Sequence, residues 1–161
     1  DWLNSQSTQG SKRFKIQLQL AKIHTLIGRN DKAKDYYKLV LKQRPDNLIA
    51  LNNLAWIYSK EGNALALKLA EKAFQKSPNS DVILDTYGYV LVANKRVAKG
   101  RQLLEKAVLL NPKSIEFKLH LAEAYILSGE NDKGRAVLKE IKASQLTKKE
   151  TENVTLLINR L

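Results

Sequence analysis

Leu51, Leu54, Ala55 and Tyr58 fall at three- and four-residue steps, the spacing of one helix face committed to a core. The same order of large and small residues returns along the chain. Leu20-Ala21, Leu54-Ala55, Tyr87-Gly88 and Leu121-Ala122 each put a large residue before a small one, and three places on stand His24, Tyr58, Leu91 and Tyr125. Gly28, Gly62, Lys95 and Gly129 follow at the entry to a turn. A second small residue comes next (Ala33, Ala66, Gly100, Gly134), then Tyr37, Ala70, Leu104 and Leu138, and late in each stretch Val40, Ala73, Ala107 and Ile141. Pro45, Pro78 and Pro112 punctuate the pattern at intervals of 33 and 34 residues. A fixed period of this size predicts repeats. Each is a pair of antiparallel helices, over 14–47, 48–80, 81–114 and 115–144.

Each position has a physical reason. Small residues sit where the two helices of a pair cross and let the backbones approach, while large ones fill the gaps on either side. Glycine supplies the left-handed residue that ends the first helix, and proline stops the second. Thr147-Lys148-Lys149-Glu150 reads as a capping box opening a last helix over 145–161, with Val154, Leu157, Ile158 and Leu161 as its apolar stripe. Such a helix covers the open end of the fourth pair. Residues 1–13, opening Asp1-Trp2-Leu3, read as the remnant of an upstream second helix, so the chain is expected to be the carboxy-terminal end of a longer array.

The pattern resembles the tetratricopeptide repeat over four consecutive units. The tryptophan usual near the start of each unit is replaced by Gln17, Leu51, Leu84 and Lys118, a departure that leaves the fold expectation intact. The resemblance implies an all-α, right-handed superhelical solenoid whose first helices line a concave groove. The phrases LNNLAWIY, ALALKLAEKAFQKSPNS, DTYGYVL, QLLEKAVLLNP and HLAEAYILSGE resemble the last repeats of bacterial tetratricopeptide lipoproteins of exosortase (PEP-CTERM) systems. Related polysaccharide-export arrays share several of these phrases. That resemblance implies a periplasmic, lipid-anchored full-length protein in exopolysaccharide production. Any membrane attachment would then lie in a part of the protein outside this chain.

Composition adds charge and removes chemistry. The 28 Lys+Arg against 16 Asp+Glu give +12, which suits an acidic partner. By repeat the balance is +5, +2, +3 and 0. Many bases (Lys32, Lys34, Lys38, Lys42, Lys68, Lys72, Lys76, Lys99, Arg101) fall on second helices, where a solvated convex face is the favoured reading over contact with anionic lipid or polysaccharide. Nucleic acid is disfavoured, because the bases are scattered and no aromatic residues alternate with them. Cysteine is absent, and no apolar run approaches the roughly 18 residues of a membrane span. No nucleotide-binding, zinc-protease or nucleophile motif is present, so no enzyme activity, cofactor or metal is expected. His24 stands where a packed tyrosine is usual, and Glu71 and Glu105 read as solvated.

The expected function is a protein-interaction scaffold holding a peptide or partner protein in the groove. Its candidate contacts are Lys22 in the first repeat; Asn52, Asn53 and Trp56 in the second; Asp85, Thr86 and Tyr89 in the third; and His120 and Glu123 in the fourth. Asparagine offers both donor and acceptor to a peptide backbone or sugar hydroxyl. Trp56 and Tyr89 offer flat apolar faces with polar tips. The same set would serve a carbohydrate-contacting module, the alternative reading. A clamp for acidic chaperone termini is excluded, since Asp85 and Thr86 stand where it needs bases.

Overall fold

The computed structural model describes residues 2–141 and 146–161, with side chains described from Gln9 onward. Asp1 and the expected end of the fourth repeat at residue 144 lie outside the described residues. Nine α-helices and no strand are found among them. They are α1 (Trp2–Leu26), α2 (Asn30–Gln43), α3 (Leu48–Lys60), α4 (Leu65–Lys76), α5 (Asp81–Ala93), α6 (Val97–Leu110), α7 (Ile115–Leu127), α8 (Asn131–Lys139) and α9 (Lys148–Ile158). Two compact units result, Asp1–Lys76 holding α1–α4 and Ser77–Leu161 holding α5–α9. Within each, α1 packs on α2, α3 on α4, α5 on α6 and α7 on α8, while α2 meets α3 and α6 meets α7.

The four turns inside the pairs share one hydrogen-bond pattern. Gly62 N–H donates to the Ser59 carbonyl at 3.1 Å and Asn63 N–H to the Tyr58 carbonyl at 2.8 Å, the two bonds of a Schellman cap. The corresponding pairs recur at Gly28/Arg29, Lys95/Arg96 and Gly129/Glu130. The residue in the left-handed position is glycine in three turns and Lys95, at φ 62°, in the fourth.

Crossing geometry follows the small residues. Ala21, Ala33, Ala55, Ala66 and Ala122 are buried at the crossings, with glycines at Gly88, Gly100 and Gly134. The approach is tightest where two glycines meet. A Cβ on Gly100 would lie 2.6 Å from the Gly88 carbonyl oxygen, and one on Gly88 would lie 2.9 Å from the Gly100 carbonyl oxygen. Val92 and Leu104 close over this crossing from either side.

At the carboxy-terminal end the capping box forms, with Glu150 N–H donating to Thr147 Oγ1 and Thr147 N–H to Glu150 Oε2. Leu157, with Val154 and Leu161, packs on Leu119, Ala122 and Leu138. Ile158 does not join them and is exposed, because 154, 157 and 161 define the contact line and 158 lies past its edge. Residues 2–13 also differ from the expectation of a separate helix: they run straight into α1. No turn interrupts them, since Gly10 is not among the residues at positive φ.

Candidate partner-binding surface

In the first unit the inward positions of the first helices are Lys15, Gln19 and Lys22 on α1, all exposed, and Asn52, Asn53, Trp56 and Ser59 on α3. Asn53 is half-buried and its Nδ2 donates to the Ile49 carbonyl at 2.8 Å, one turn back in its own helix. Asn52 is buried to 8% exposure, and its Oδ1 has no hydrogen-bond partner among the described residues. Ser59 Oγ is in the same state, seven residues on along the same face. Between them lies Trp56, half-buried, with Lys60 Nζ 4.3 Å above its ring. A buried polar atom without a partner costs roughly 1–3 kcal/mol. This strip of α3 therefore carries an unmet demand for hydrogen bonds beside a flat aromatic face.

The second unit differs. Asp85, Thr86 and His120 are buried rather than displayed. His120 Nδ1 lies 2.9 and 3.0 Å from the two carboxylate oxygens of Asp85, so the ring donates from Nδ1 and α5 is tied to α7. The Tyr89 ring tilts against His120 at 4.7 Å between centroids. Glu123 lies 3.5 Å from the Arg160 guanidinium beyond α9. These residues were expected to face a ligand. Successive first helices stand close enough for their side chains to meet, and a buried carboxylate requires such a partner. The structure thus brings together Asp85, Tyr89 and His120, while Lys22, Asn52, Asn53 and Trp56 belong to the other unit.

Several bases expected on a solvated convex face are instead paired. Lys34 Nζ reaches Glu61 at 2.6 Å and Asp31 at 3.0 Å, bonds that raise its pKa. Lys72 and Lys76 hold Asp46 at 2.9 and 2.8 Å, and hydrogen bonds from Lys76, then Lys72, lower its pKa. Arg101 pairs with Glu130. Glu105 likewise is not simply solvated: it accepts from the Tyr125 hydroxyl at 2.9 Å, while burial is the larger cause of that tyrosine's raised pKa. In each case a second helix is fastened to a neighbouring pair or to the turn that leads into its own. Lys32, Lys38, Lys42, Lys68 and Lys99 are exposed. His24, expected to be packed, is half-buried and stacks on Tyr36 at 5.6 Å. Sequence reasoning missed Lys60, although its i+4 spacing from Trp56 could have shown it, and it missed Lys34 and Arg101 as links.

No group of three or more His, Cys, Asp or Glu side chains comes together among the described residues, and no helix among them is long and apolar enough to cross a membrane. An open depression of about 680 Å³ lies at the α2–α3 turn, lined by Arg44, Pro45, Asp46, Asn47, Leu48 and Ile49.

Tetratricopeptide-repeat models match residues 14–47 and 91–147, so the chain carries tetratricopeptide repeats and its fold is the all-α fold of that family. A thermophilic tetratricopeptide-repeat protein from Thermus thermophilus is similar at 24% identity and a TM-score of 0.79, over 91% of this chain and 81% of that one. MamA from Desulfovibrio magneticus RS-1 is similar at 21% identity and a TM-score of 0.68, over 83% of this chain and 78% of that one. A mutant O-GlcNAc transferase from Thermobaculum terrenum aligns at 28% identity and a TM-score of 0.67, over 71% of this chain. The match spans 22% of the transferase, its repeat portion only. No curated protein sequence matches this chain. Proteins with these repeats are mostly non-catalytic scaffolds for protein or peptide partners, and the fold here fits that role.

Proposed function

We propose that this chain is a non-catalytic scaffold that binds an extended segment of a partner protein along the α3 face of its first unit. The observation behind this reading is the pair of buried polar atoms without partners, Asn52 Oδ1 and Ser59 Oγ, on either side of Trp56. Seven residues of helix rise about 10 Å, which about three residues of extended chain also span. Once the Asn52 and Ser59 side chains, buried in the free chain, turn outward, a segment lying beside α3 can offer backbone groups to both atoms while one of its side chains covers Trp56. Lys60, whose ammonium lies over the Trp56 ring, favours a segment that carries a carboxylate.

The wider setting, a periplasmic and lipid-anchored scaffold in exopolysaccharide export, rests on the repeat phrases shared with exosortase-associated lipoproteins. Fractionation of cells making the full-length protein tests it, and recovery in the cytosol would sink it.

The site itself is tested by crosslinking the intact chain to its partner and then measuring affinity for Asn52→Ala/Ser59→Ala. Loss of about thirtyfold is expected, the order of two hydrogen bonds near 1 kcal/mol each. Thermal stability should stay level or rise, because the variant deletes unmet polar groups. Undiminished affinity would refute the reading, and a preference for polysaccharide over peptide would replace it with the carbohydrate one.

A further inference from the structure

The second helices α2, α4 and α6 share their inward packing residues, so their outward positions can be compared place by place. Counted from the buried Val40, Ala73 and Ala107, the second and third residues on are Lys42 and Gln43 in α2, Gln75 and Lys76 in α4, and Leu109 and Leu110 in α6. Packing of the repeat therefore has no need of leucine at these two places. Both leucines stand in water nonetheless, Leu109 at 79% and Leu110 at 55% exposure.

Charge on α6 departs from its sister helices at the same face. In α2 and α4 the bases are mixed with the exposed acids Asp31, Asp35 and Glu71. The one acid of α6, Glu105, is half-buried and taken up by Tyr125 and Arg101. Lys95 and Arg96 before the helix, Lys99 and Lys106 on it and Lys113 after it are exposed, and they form no ion pair among the described residues. At 3.6 residues per turn, Lys99, Lys106, Leu109 and Leu110 fall within about 100° of one another, with Lys106 between the two leucines. Solvation accounts for the bases but not for a pair of leucines set among them. A protein interface takes roughly 20–30 residues a side, far more than this sector holds. A lipid headgroup layer asks for less: a few apolar side chains that enter it, and bases beside them that meet its phosphates.

We infer that the outward face of α6 docks on an anionic lipid surface, with Leu109 and Leu110 entering the headgroup layer and Lys99, Lys106 and Lys113 meeting lipid phosphates. This is independent of the α3 strip. The test is co-sedimentation of the full chain with vesicles of phosphatidylcholine containing about one-third phosphatidylglycerol, against vesicles of phosphatidylcholine alone. The parent chain should bind the first and not the second. Leu109→Ser/Leu110→Ser, which leaves the net charge untouched, should weaken binding at least about tenfold. Lys106→Glu/Lys113→Glu should weaken it about thirtyfold or more, whereas the same charge change on α2, Lys32→Glu/Lys42→Glu, should cost less than about threefold. Circular dichroism should be unchanged in all three. Because the chain has no cysteine, Leu109→Cys can carry an environment-sensitive fluorophore, which should shift to the blue on the anionic vesicles; the same label at the sister position, Gln75→Cys, should not.

Undiminished binding by the leucine variant, equal losses from the α2 and α6 charge reversals, or no spectral shift at position 109 would overturn the proposal. So would soluble poly-glutamate binding the parent and the leucine variant alike and displacing the vesicles, because the face would then serve an acidic polypeptide.

Discussion

Lys95 adopts at φ 62° the left-handed conformation that Gly28, Gly62 and Gly129 supply in the other turns. A side chain there strains the backbone by about 1 kcal/mol. Lys95→Gly should therefore raise stability by about that amount, read as a higher denaturation midpoint at unchanged slope. The glycines of the crossings have the opposite sensitivity. Gly100→Ala would drive a methyl into the Gly88 carbonyl, a backbone atom that cannot swing aside. A loss of about 1–3 kcal/mol is expected by calorimetry. At Gly134 the nearest atom to an added methyl is Ile126 Cγ1 at 3.1 Å, on a side chain that can shift. Gly134→Ala should be neutral, or stabilising by up to about 1 kcal/mol through its better helix propensity. If Gly100→Ala and Gly134→Ala behave alike, the crossing distances do not govern stability.

Among elements, α9 has the clearest dependence on solution conditions. The Thr147 hydroxyl and backbone N–H bond to Glu150 and hold its pKa below the ordinary glutamate value, with the hydroxyl the larger cause. A depressed carboxylate stabilises the folded state above its unfolded pKa, and that contribution is lost as pH falls through the folded one. Amide protection in α9 should accordingly weaken first on acidification, and Glu150→Gln should remove that dependence in hydrogen exchange. The elements themselves were legible because three signals agreed: helical spacing, small residues at the crossings, and proline after every second helix except the last. The capping box was equally plain, since its two residues act within one turn. The limits of the α9 stripe were not, because Val154, Leu157, Ile158 and Leu161 fit a helical face alike, and only the position of Leu119 and Leu138 shows that Ile158 lies off it.

At the scale of the molecule, charge is distributed unevenly. Residues 1–76 hold 14 Lys+Arg against 6 Asp+Glu, or +8, whereas 77–161 hold 14 against 10, or +4. A carboxylate-bearing partner on the first unit should then lose affinity severalfold between 50 and 300 mM salt, while one held by neutral groups alone would not. Sequence register named the inward positions, but it could not separate Asn52, left with an unmet acceptor, from Asp85, already satisfied by His120 thirty-five residues away. That distinction depends on how neighbouring first helices meet, which no local spacing encodes. The glycine crossing of α5 and α6 carries a historical consequence. An alanine at any crossing can become glycine and let its helices settle closer, but once two glycines touch, neither can regain a methyl alone. Drift at that pair runs in one direction, and only a change that moves the two backbones apart could reopen it.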